Sequence, residues 1–445
     1  MAAGFPFIDD ACKFLHEFSW LVEFRILDFI EADVWHTDEN LPLSWKEYAN
    51  RLPDDCFVQA LLDLASYKLP DDATAWPEGV GQFVADCRQY SLLGIDGVSW
   101  HDTSGNLNPP QRAKIKAKKV YEVETICCQL ESIMSAEKLA YAVDVGAGQG
   151  YLATELVHMY PSIKQIVAVE CSEVQVHGMI SRIPESLQHK IAIKKIRLDT
   201  SQNAGAFEKT IFEDSSFASP PPYLMYSLHA CGSLSEAMLE IFCSQHSNAA
   251  ALFNIGCCYN LIEAPLPGRP FPLSERVSIA WTNGLSLTRN MKMVACQAPI
   301  RWPHRSRQTG NFYRRHFYRA LLHKLIVDKK FSTDIQIANV PDRCLGDFQD
   351  YVSAALTLLP EYRTSISVDD MLSCVARNRC MEKKLAFMWT MRALLGPVVE
   401  AIILIDRYYY LTERIPGANI KLQGVFDPLR SPRNFALIAV KGKSH

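Results

Sequence analysis

Three glycines at alternate positions, Gly146, Gly148 and Gly150, stand in the run A-V-D-V-G-A-G-Q-G-Y from Ala142 to Tyr151. The segment before them, Leu139 to Val145, is short and apolar and suits a buried parallel strand. After them, Leu152, Leu156, Val157 and Tyr160 fall on one helical face. Strand, glycine turn and helix start together predict a ligand lying close to the main chain, with the N–H groups of the turn directed at it. A dinucleotide loop would read G-x-G-x-x-G, but the third glycine comes one residue early and Tyr151 fills its place. Asp144 would repel a pyrophosphate and would suit an ammonium. A ligand with an amino group, a sulfonium and no phosphate fits better, which is S-adenosylmethionine. The next apolar run, Ile166 to Val169, ends in Glu170, 26 residues beyond Asp144, where a carboxylate can accept both ribose hydroxyls. A third run, Ile191 to Ile196, is followed by Asp199, placed for an adenine amino group. The competing reading is a glycine turn with ordinary acids at strand ends.

A second constellation follows the fourth and fifth apolar runs, in L-H-A-C-G-S-L (Leu228 to Leu234) and F-N-I-G-C-C-Y-N (Phe253 to Asn260). His229, Cys231, Cys257 and Cys258 admit three chemical readings. His229 can take a proton from a hydroxyl as a methyl group moves in line. A cysteine thiolate can add to a pyrimidine ring and activate its neighbouring carbon. Or the cysteines and histidine can ligate Zn2+. Against all three stands the reading that the cysteines are small buried residues lining a crowded cleft. Methyl transfer needs mainly alignment, so an essential acid or base is not required.

The elements that must position these groups alternate from Leu139 onward: strands near 140–145, 166–169, 191–196, 223–228 and 250–255, with helical patterns between. That is the signature of a parallel sheet wound by helices on both faces, whose ligands sit at the carboxyl ends of strands. After Asn260 the pattern breaks. Leu385 to Glu413 is an apolar helical stretch interrupted at Pro397, and Lys421 to Phe426 and Phe435 to Val440 read as a hairpin on the sheet edge. The expected organisation is an acidic helical region (1–110), a first sheet segment (111–260), a helical basic and aromatic insertion (261–384) and the last helix with the hairpin (385–445). In the first region Phe14, Leu15, Phe18, Leu21, Val22 and Leu27 have near-helical spacing, Cys56 to Tyr67 is a second helix, and Trp20, Trp35 and Trp45 are expected in a core. The boundary is drawn in D-T-S-G-N-L-N-P-P, Asp102 to Pro110.

A chain of 445 residues, 48% hydrophobic and 21% charged, has the composition of an ordinary globular protein. Its net charge of −3 hides an asymmetry. Residues 1–80 hold 16 acids against 5 bases, and the remainder, with 41 bases and 33 acids, stands at +8. Two basic clusters lie in that remainder: Arg112, Lys114, Lys116, Lys118 and Lys119, then Arg301, Arg305, Arg307, Arg314, Arg315 and Arg319 interleaved with Trp302, Phe312, Tyr313, Phe317 and Tyr318. Basic residues among aromatics can hold a phosphate backbone and stack bases, so RNA is the partner considered. The plain alternative is a solvated helix face plus core aromatics. The 14 cysteines include no C-x-x-C pair, and the N-terminus carries acids early without a basic n-region. Reduced thiols and a cytoplasmic or nuclear location are expected. The apolar run Pro397 to Leu411 contains Glu400, Asp406 and Arg407, too charged and too short for a membrane span.

D-V-G-A-G-Q-G-Y, V-E-C-S-E-V-Q-V-H-G (Val169 to Gly178), L-H-A-C-G-S-L, I-G-C-C-Y, H-F-Y-R-A-L-L (His316 to Leu322) and F-D-P-L-R-S-P-R-N (Phe426 to Asn434) together resemble the methyltransferase-like family that includes the ribosomal RNA adenine dimethylase domain-containing protein. The resemblance covers roughly residues 112 to 441. It implies an α/β fold, the Rossmann-like sheet of class I methyltransferases, with Asp144, Gly146, Gly148, Gly150, Glu170 and Asp199 at the cofactor. Adenine methylation does not carry over, because N-P-P-Y is replaced by H-A-C-G after the fourth strand and S-P-P-P-Y (Ser219 to Tyr223) precedes that strand. H-A-C-G with a Cys-Cys pair is also similar to a family of transfer RNA ribose 2'-O-methyltransferases, which shifts weight toward RNA. The alternatives are an inactive scaffold with this fold, a protein or small-molecule methyltransferase and, more distantly, an NAD enzyme.

Overall fold

The computed structural model describes residues 4–68, 78–94, 116–199, 201–213, 219–263, 271–281, 286–331, 337, 340–363 and 365–442. The expected linker at 102–110, and Arg112 and Lys114, lie outside the described residues. The chain divides into a sheet unit (1–13, 95–296 and 399–445) and a helical unit (14–94 and 297–398).

The sheet unit holds seven strands: β1 (Tyr141–Val145), β2 (Gln165–Glu170), β3 (Ile191–Lys195), β4 (Tyr223–Ala230), β5 (Ala249–Gly256), β6 (Asn419–Gly424) and β7 (Phe435–Val440). Their order is β3-β2-β1-β4-β5-β7-β6. The first five are parallel; β7 runs antiparallel to β5, and β6 antiparallel to β7. This is the mixed Rossmann-like sheet expected from the alternation, hairpin included. Chain order reverses between β1 and β4, so the turns leaving these two strands open a crevice at the carboxyl edge.

Both faces of the sheet are covered, which is why its strands read as apolar runs. In β1 and β2, Ala142, Ile166 and Ala168 pack in one layer and Val143, Val145, Val167 and Val169 in the other. The helix Ala117–Glu137 gives Tyr121, Ile126, Cys127 and Leu130 to the first layer. By the same alternation Asp144 faces the Ala142 side. The helix Gly396–Arg414 supplies Tyr408, Tyr410 and Leu411 to the second layer. Its buried charges have partners inside, although Arg407 Nε and Nη1 make no hydrogen bond: Arg407 Nη2 reaches Glu236 at 2.7 Å, and Asp406 accepts from the backbone N–H of Leu273 (2.8 Å) and Ser274 (2.9 Å).

In the helical unit the N-terminal region shares one core with the helix Met381–Leu394, whose part from Leu385 onward was expected with the last helix and the hairpin. Trp45 meets Phe387 edge-on at 5.9 Å and stacks on Phe18 at 6.0 Å, while Trp35 meets Phe387 at 6.5 Å. Helices as short as Leu43–Arg51 and Phe57–Ala65 are marginal alone and gain their stability by packing. The long apolar stretch divides beside Pro397, into Met381–Leu394 and Gly396–Arg414. By length and composition the run 381–414 could cross a membrane, but its most apolar window is wholly buried in the protein.

Candidate active site

All three glycines of the turn after β1 have left-handed backbones, with φ of +73°, +56° and +72° at Gly146, Gly148 and Gly150. A side chain at Gly150 would also put its Cβ 2.6 Å from Met179 Cγ. The N–H groups of the turn differ from the expectation. Gly146 and Ala147 donate to Val169 O at 2.9 and 3.1 Å, Gly148 to Glu170 Oε2 at 2.8 Å, and Gly150 to Ala147 O at 3.0 Å. The turn is therefore tied to the end of β2, with four of its five N–H groups already engaged and close approach left to a ligand.

Glu170 ends β2 with Oε1 accepting from Ser172 N at 2.8 Å, so its carboxylate is held at the mouth of the crevice. A cavity of about 590 Å³ opens there, within the usual range for small-molecule sites. Gly146, Glu170 and Asp199 line one side, and Cys231, Ser233 and Leu261, from the turns after β4 and β5, line the other. Asp199 accepts from the hydroxyl and N–H of Ser201, and these hydrogen bonds hold its carboxyl below the usual range. The ribose and adenine positions expected from the sequence thus share one cavity, whereas Asp144, Gly148 and Gly150 are not among its lining residues.

Asp144 is only 3% exposed, and burial pushes its carboxyl up to about 7 against the opposing pull of the Lys119 ammonium. Its Oδ2 is buried without a partner at good hydrogen-bond geometry, and the nearby Tyr226 hydroxyl pulls the carboxyl down only in part. A buried carboxylate oxygen without a donor is one that a cationic amino group would fit.

Glu122, 2% exposed on the 117–137 helix, was not legible as a site residue. It accepts Ser431 Oγ at 2.8 Å, and its oxygens lie 3.2 Å from Lys118 Nζ and 3.6 Å from His229 Nε2. Burial alone would raise this carboxyl, but His229, Lys118 and Ser431 together bring it down to about 2. His229 at the end of β4 is one-third exposed and so has one ring edge on a fixed carboxylate and access to solvent. A buried carboxylate that fixes a histidine is the arrangement that orients a proton acceptor.

Cys231, Cys257 and Cys258 converge. Their Sγ atoms are separated by 3.0 Å (231–257), 3.4 Å (231–258) and 3.4 Å (257–258). Two backbone hydrogen bonds clamp the strand ends that carry them, Gly232 N to Cys258 O at 3.2 Å and Cys257 N to Ala230 O at 3.3 Å. Hydrogen bonds from the other two thiols draw Cys231 down to about 6, while Cys257 and Cys258 are pushed up. Cys257 is buried, but Cys231 is exposed. The picture of small residues merely filling a cleft therefore does not describe Cys231.

The basic clusters behave differently from a free binding surface. Lys118 sits on Glu122, and Lys119 is half-buried beside Asp144, its ammonium pushed down by burial; Lys116 is exposed. In the helix Ser306–Asp328, Tyr313, Phe317 and Tyr318 are core residues. Arg315 pairs with Asp342, Arg314 lies 3.6 Å from Glu382, and burial lowers Arg319. Arg301 is half-buried, and Arg305, Arg307 and Arg314 are exposed. Of the aromatics that were candidates for stacking bases, Tyr313, Phe317 and Tyr318 are thus committed to packing, while Trp302 and Phe312 are half-buried.

Residues 115–265 match a family model described as a methyltransferase domain. The chain carries a methyltransferase domain. Its sheet is of the class I type, and S-adenosylmethionine, expected from the glycine loop, is the cofactor such a domain calls for. Two curated relatives, both described as probable methyltransferase-like protein 25, are 30% identical over 230 residues (Homo sapiens) and 29% identical over 231 residues (Mus musculus). Each match takes in 49% of this chain and 37% of the relative, so the chain spans little more than a third of those proteins. A crystal structure of coclaurine N-methyltransferase bound to N-methylheliamine and SAH aligns over 89% of this chain and 96% of that one, at 9% identity and a TM-score of 0.24, too distant a likeness to argue from.

Proposed function

We propose that the chain is an S-adenosylmethionine-dependent methyltransferase whose acceptor is RNA, working in the reducing cytoplasm or nucleus. The observation that carries the cofactor reading is the convergence of Gly146, Glu170 and Asp199 on one cavity at the strand-order switch, together with the orphaned Oδ2 of buried Asp144. The bound cofactor would supply an electrophilic methyl group on a sulfonium. In this reading Asp144 would take the amino group, Glu170 the ribose and Asp199 the adenine edge. The cavity wall formed by the turns after β4 and β5 is where an acceptor meets the methyl group. For a hydroxyl acceptor, His229, with Glu122 beside it at 3.6 Å, would take the proton.

RNA is favoured by the similarity of H-A-C-G and the Cys-Cys pair to transfer RNA ribose 2'-O-methyltransferases, and by the exposed Arg305 and Arg307 of the helical unit. The test is labelled methyl transfer from S-adenosylmethionine to separated RNA, protein and small-molecule fractions of a cell extract. Label in RNA, with binding that weakens steeply with salt and weakens further on changing Arg305 and Arg307 to Glu, supports the reading. Label confined to the protein or small-molecule fraction refutes RNA as acceptor, and cofactor binding without transfer to any fraction points to a scaffold.

A further inference from the structure

We propose that Cys231, Cys257 and Cys258 bind one Zn2+ ion on the wall of the cofactor cavity, leaving its fourth coordination position open. The geometry has three parts. First, three sulfurs are gathered at mutual distances of 3.0–3.4 Å, from two strand ends held together by backbone hydrogen bonds. A tetrahedral Zn2+ at about 2.3 Å from each thiolate sets sulfurs about 3.8 Å apart, so the cluster needs to open by only about 0.4–0.8 Å. Second, the three separations are nearly equal. A disulfide would single out one pair and leave the third sulfur aside, whereas a shared ion accounts for all three. Third, the donors are thiols only, which selects soft or borderline cations over Mg2+ or Ca2+.

The supporting turn is built to hold this shape. Gly232 has φ of +55°, and a Cβ there would lie 2.3 Å from Leu261 O, so the chain after Cys231 passes directly against the segment that follows Cys258. Among the described residues, no other His, Cys, Asp or Glu shares the same 4.8 Å reach, so three ligands come from the protein. Cys231 is exposed and lines the cavity, which turns the fourth position toward that space. Three protein ligands with an open corner is the pattern of zinc sites that take a water or a substrate atom rather than serve structure alone. Binding releases thiol protons to solvent and transfers no electrons. The site would hold whether or not the acceptor is RNA.

The experiment uses the full chain, purified with a reductant and without chelator, then desalted and analysed for metals. About one Zn2+ per chain is expected. In the same sample, alkylation followed by peptide mass spectrometry should find Cys231, Cys257 and Cys258 protected until a chelator is added, while exposed Cys56 reacts equally in both states. Cys231→Ser and Cys257→Ser should each lower Zn2+ affinity at least about tenfold in chelator competition. Because the protection experiment needs no variant, misfolding of either substitution leaves the proposal open to refutation. It is overturned if Zn2+-loaded protein retains no ion on desalting with all three thiols equally reactive with and without metal. It is overturned equally if the unreduced chain carries a Cys231–Cys257 disulfide and takes up Zn2+ in neither redox state.

Discussion

His229 Nε2 stands 3.6 Å from Oε2 of Glu122, a carboxylate that is 2% exposed and whose other oxygen accepts Ser431 Oγ at 2.8 Å. Neither Glu122 nor His229 lines the cofactor cavity, so in the proposed base role Glu122 would act through the imidazole beside it. Glu122→Gln is expected to lower kcat for methyl transfer about 10–100-fold while KM for S-adenosylmethionine stays within about twofold, with partial recovery in Glu122→Asp. Loss of cofactor binding in step with turnover would show that Glu122 only supports the fold. A stability signature accompanies this role. Its partners hold the folded-state carboxyl at about 2, below the ordinary 4.5, so its contribution is present above about pH 4.5 and is lost as pH falls toward 2. The Gln variant should lack that part of the acid transition.

Asp144 runs in the opposite sense. Burial raises its carboxyl from the ordinary 3.8 to about 7, so ionising it costs the ligand-free fold stability as pH rises from about 4 through 7. A cationic amino group would favour the ionised form. Affinity for S-adenosylmethionine should therefore increase between pH 6 and 8, and Asp144→Asn should bind at least about tenfold more weakly with that pH dependence removed. The same variant, free of cofactor, should melt roughly 2–5 °C higher than the wild type at pH 8, with the difference shrinking as pH falls and vanishing only near pH 4. A pH-independent affinity in the wild type would contradict the role given to this side chain.

The crossing of the two turns at Gly232 leaves no room for a methyl group. A Cβ would lie 2.3 Å from Leu261 O and 2.7 Å from Leu261 C, both backbone atoms, on a residue with φ of +55°. Gly232→Ala is expected to cost about 2–4 kcal/mol in denaturant unfolding, more than the ~1 kcal/mol of a left-handed alanine alone, because the neighbouring chain must move. Gly417→Ala makes the comparison, since φ there is +87° and nothing lies within 4 Å of the added carbon. Equal losses at the two positions would mean that the turns are not clamped as described.

Glu400 Oε1 accepts from both Arg433 Nη1 and Tyr259 Oη at 2.9 Å, and all three residues are buried. Removing one charge leaves the other buried without its partner, so Arg433→Met should destabilise by about 3–5 kcal/mol, and Arg433→Met with Glu400→Leu by clearly less. The difference is measured by a double-mutant unfolding cycle. Because Tyr259 follows Cys258 directly, the single variant should also raise the reactivity of the cysteine cluster toward alkylation.

The sheet was legible because both of its faces are buried: β1 to β5 read as apolar runs, and each forms within about two residues of its expected place. The hairpin was less sharp. The expected strand Lys421 to Phe426 forms as Asn419–Gly424, since Val425 N turns to Asn434 O at 2.7 Å and Phe426 is fully buried in a core layer. Glu122 escaped notice because an acid four residues after Lys118 on a helix looks like a surface ion pair, and burial is invisible in that spacing. Tyr313, Phe317 and Tyr318, near Arg314, read equally well as a stacking surface or as core, and tertiary packing decides for core. The two cysteine motifs marked the correct strand ends, but the register and the bulge in β4 set the distances between their sulfurs, and neither has a composition signal.

The central claim, that the glycine turn, Glu170 and the adjoining cavity hold S-adenosylmethionine, is tested most directly by calorimetric titration of the full chain with S-adenosylmethionine and, separately, with NAD. Two variants complete the experiment. Gly146→Arg places a side chain at φ +73°, where even its Cβ meets Leu234 Cδ2 at 3.2 Å, and Glu170→Ala removes the carboxylate at the cavity mouth. The expected result is micromolar binding of S-adenosylmethionine and none of NAD, with binding lost in Gly146→Arg and weakened at least about tenfold in Glu170→Ala. Absence of binding in the wild type, or equal binding in the wild type and both variants, would contradict the account.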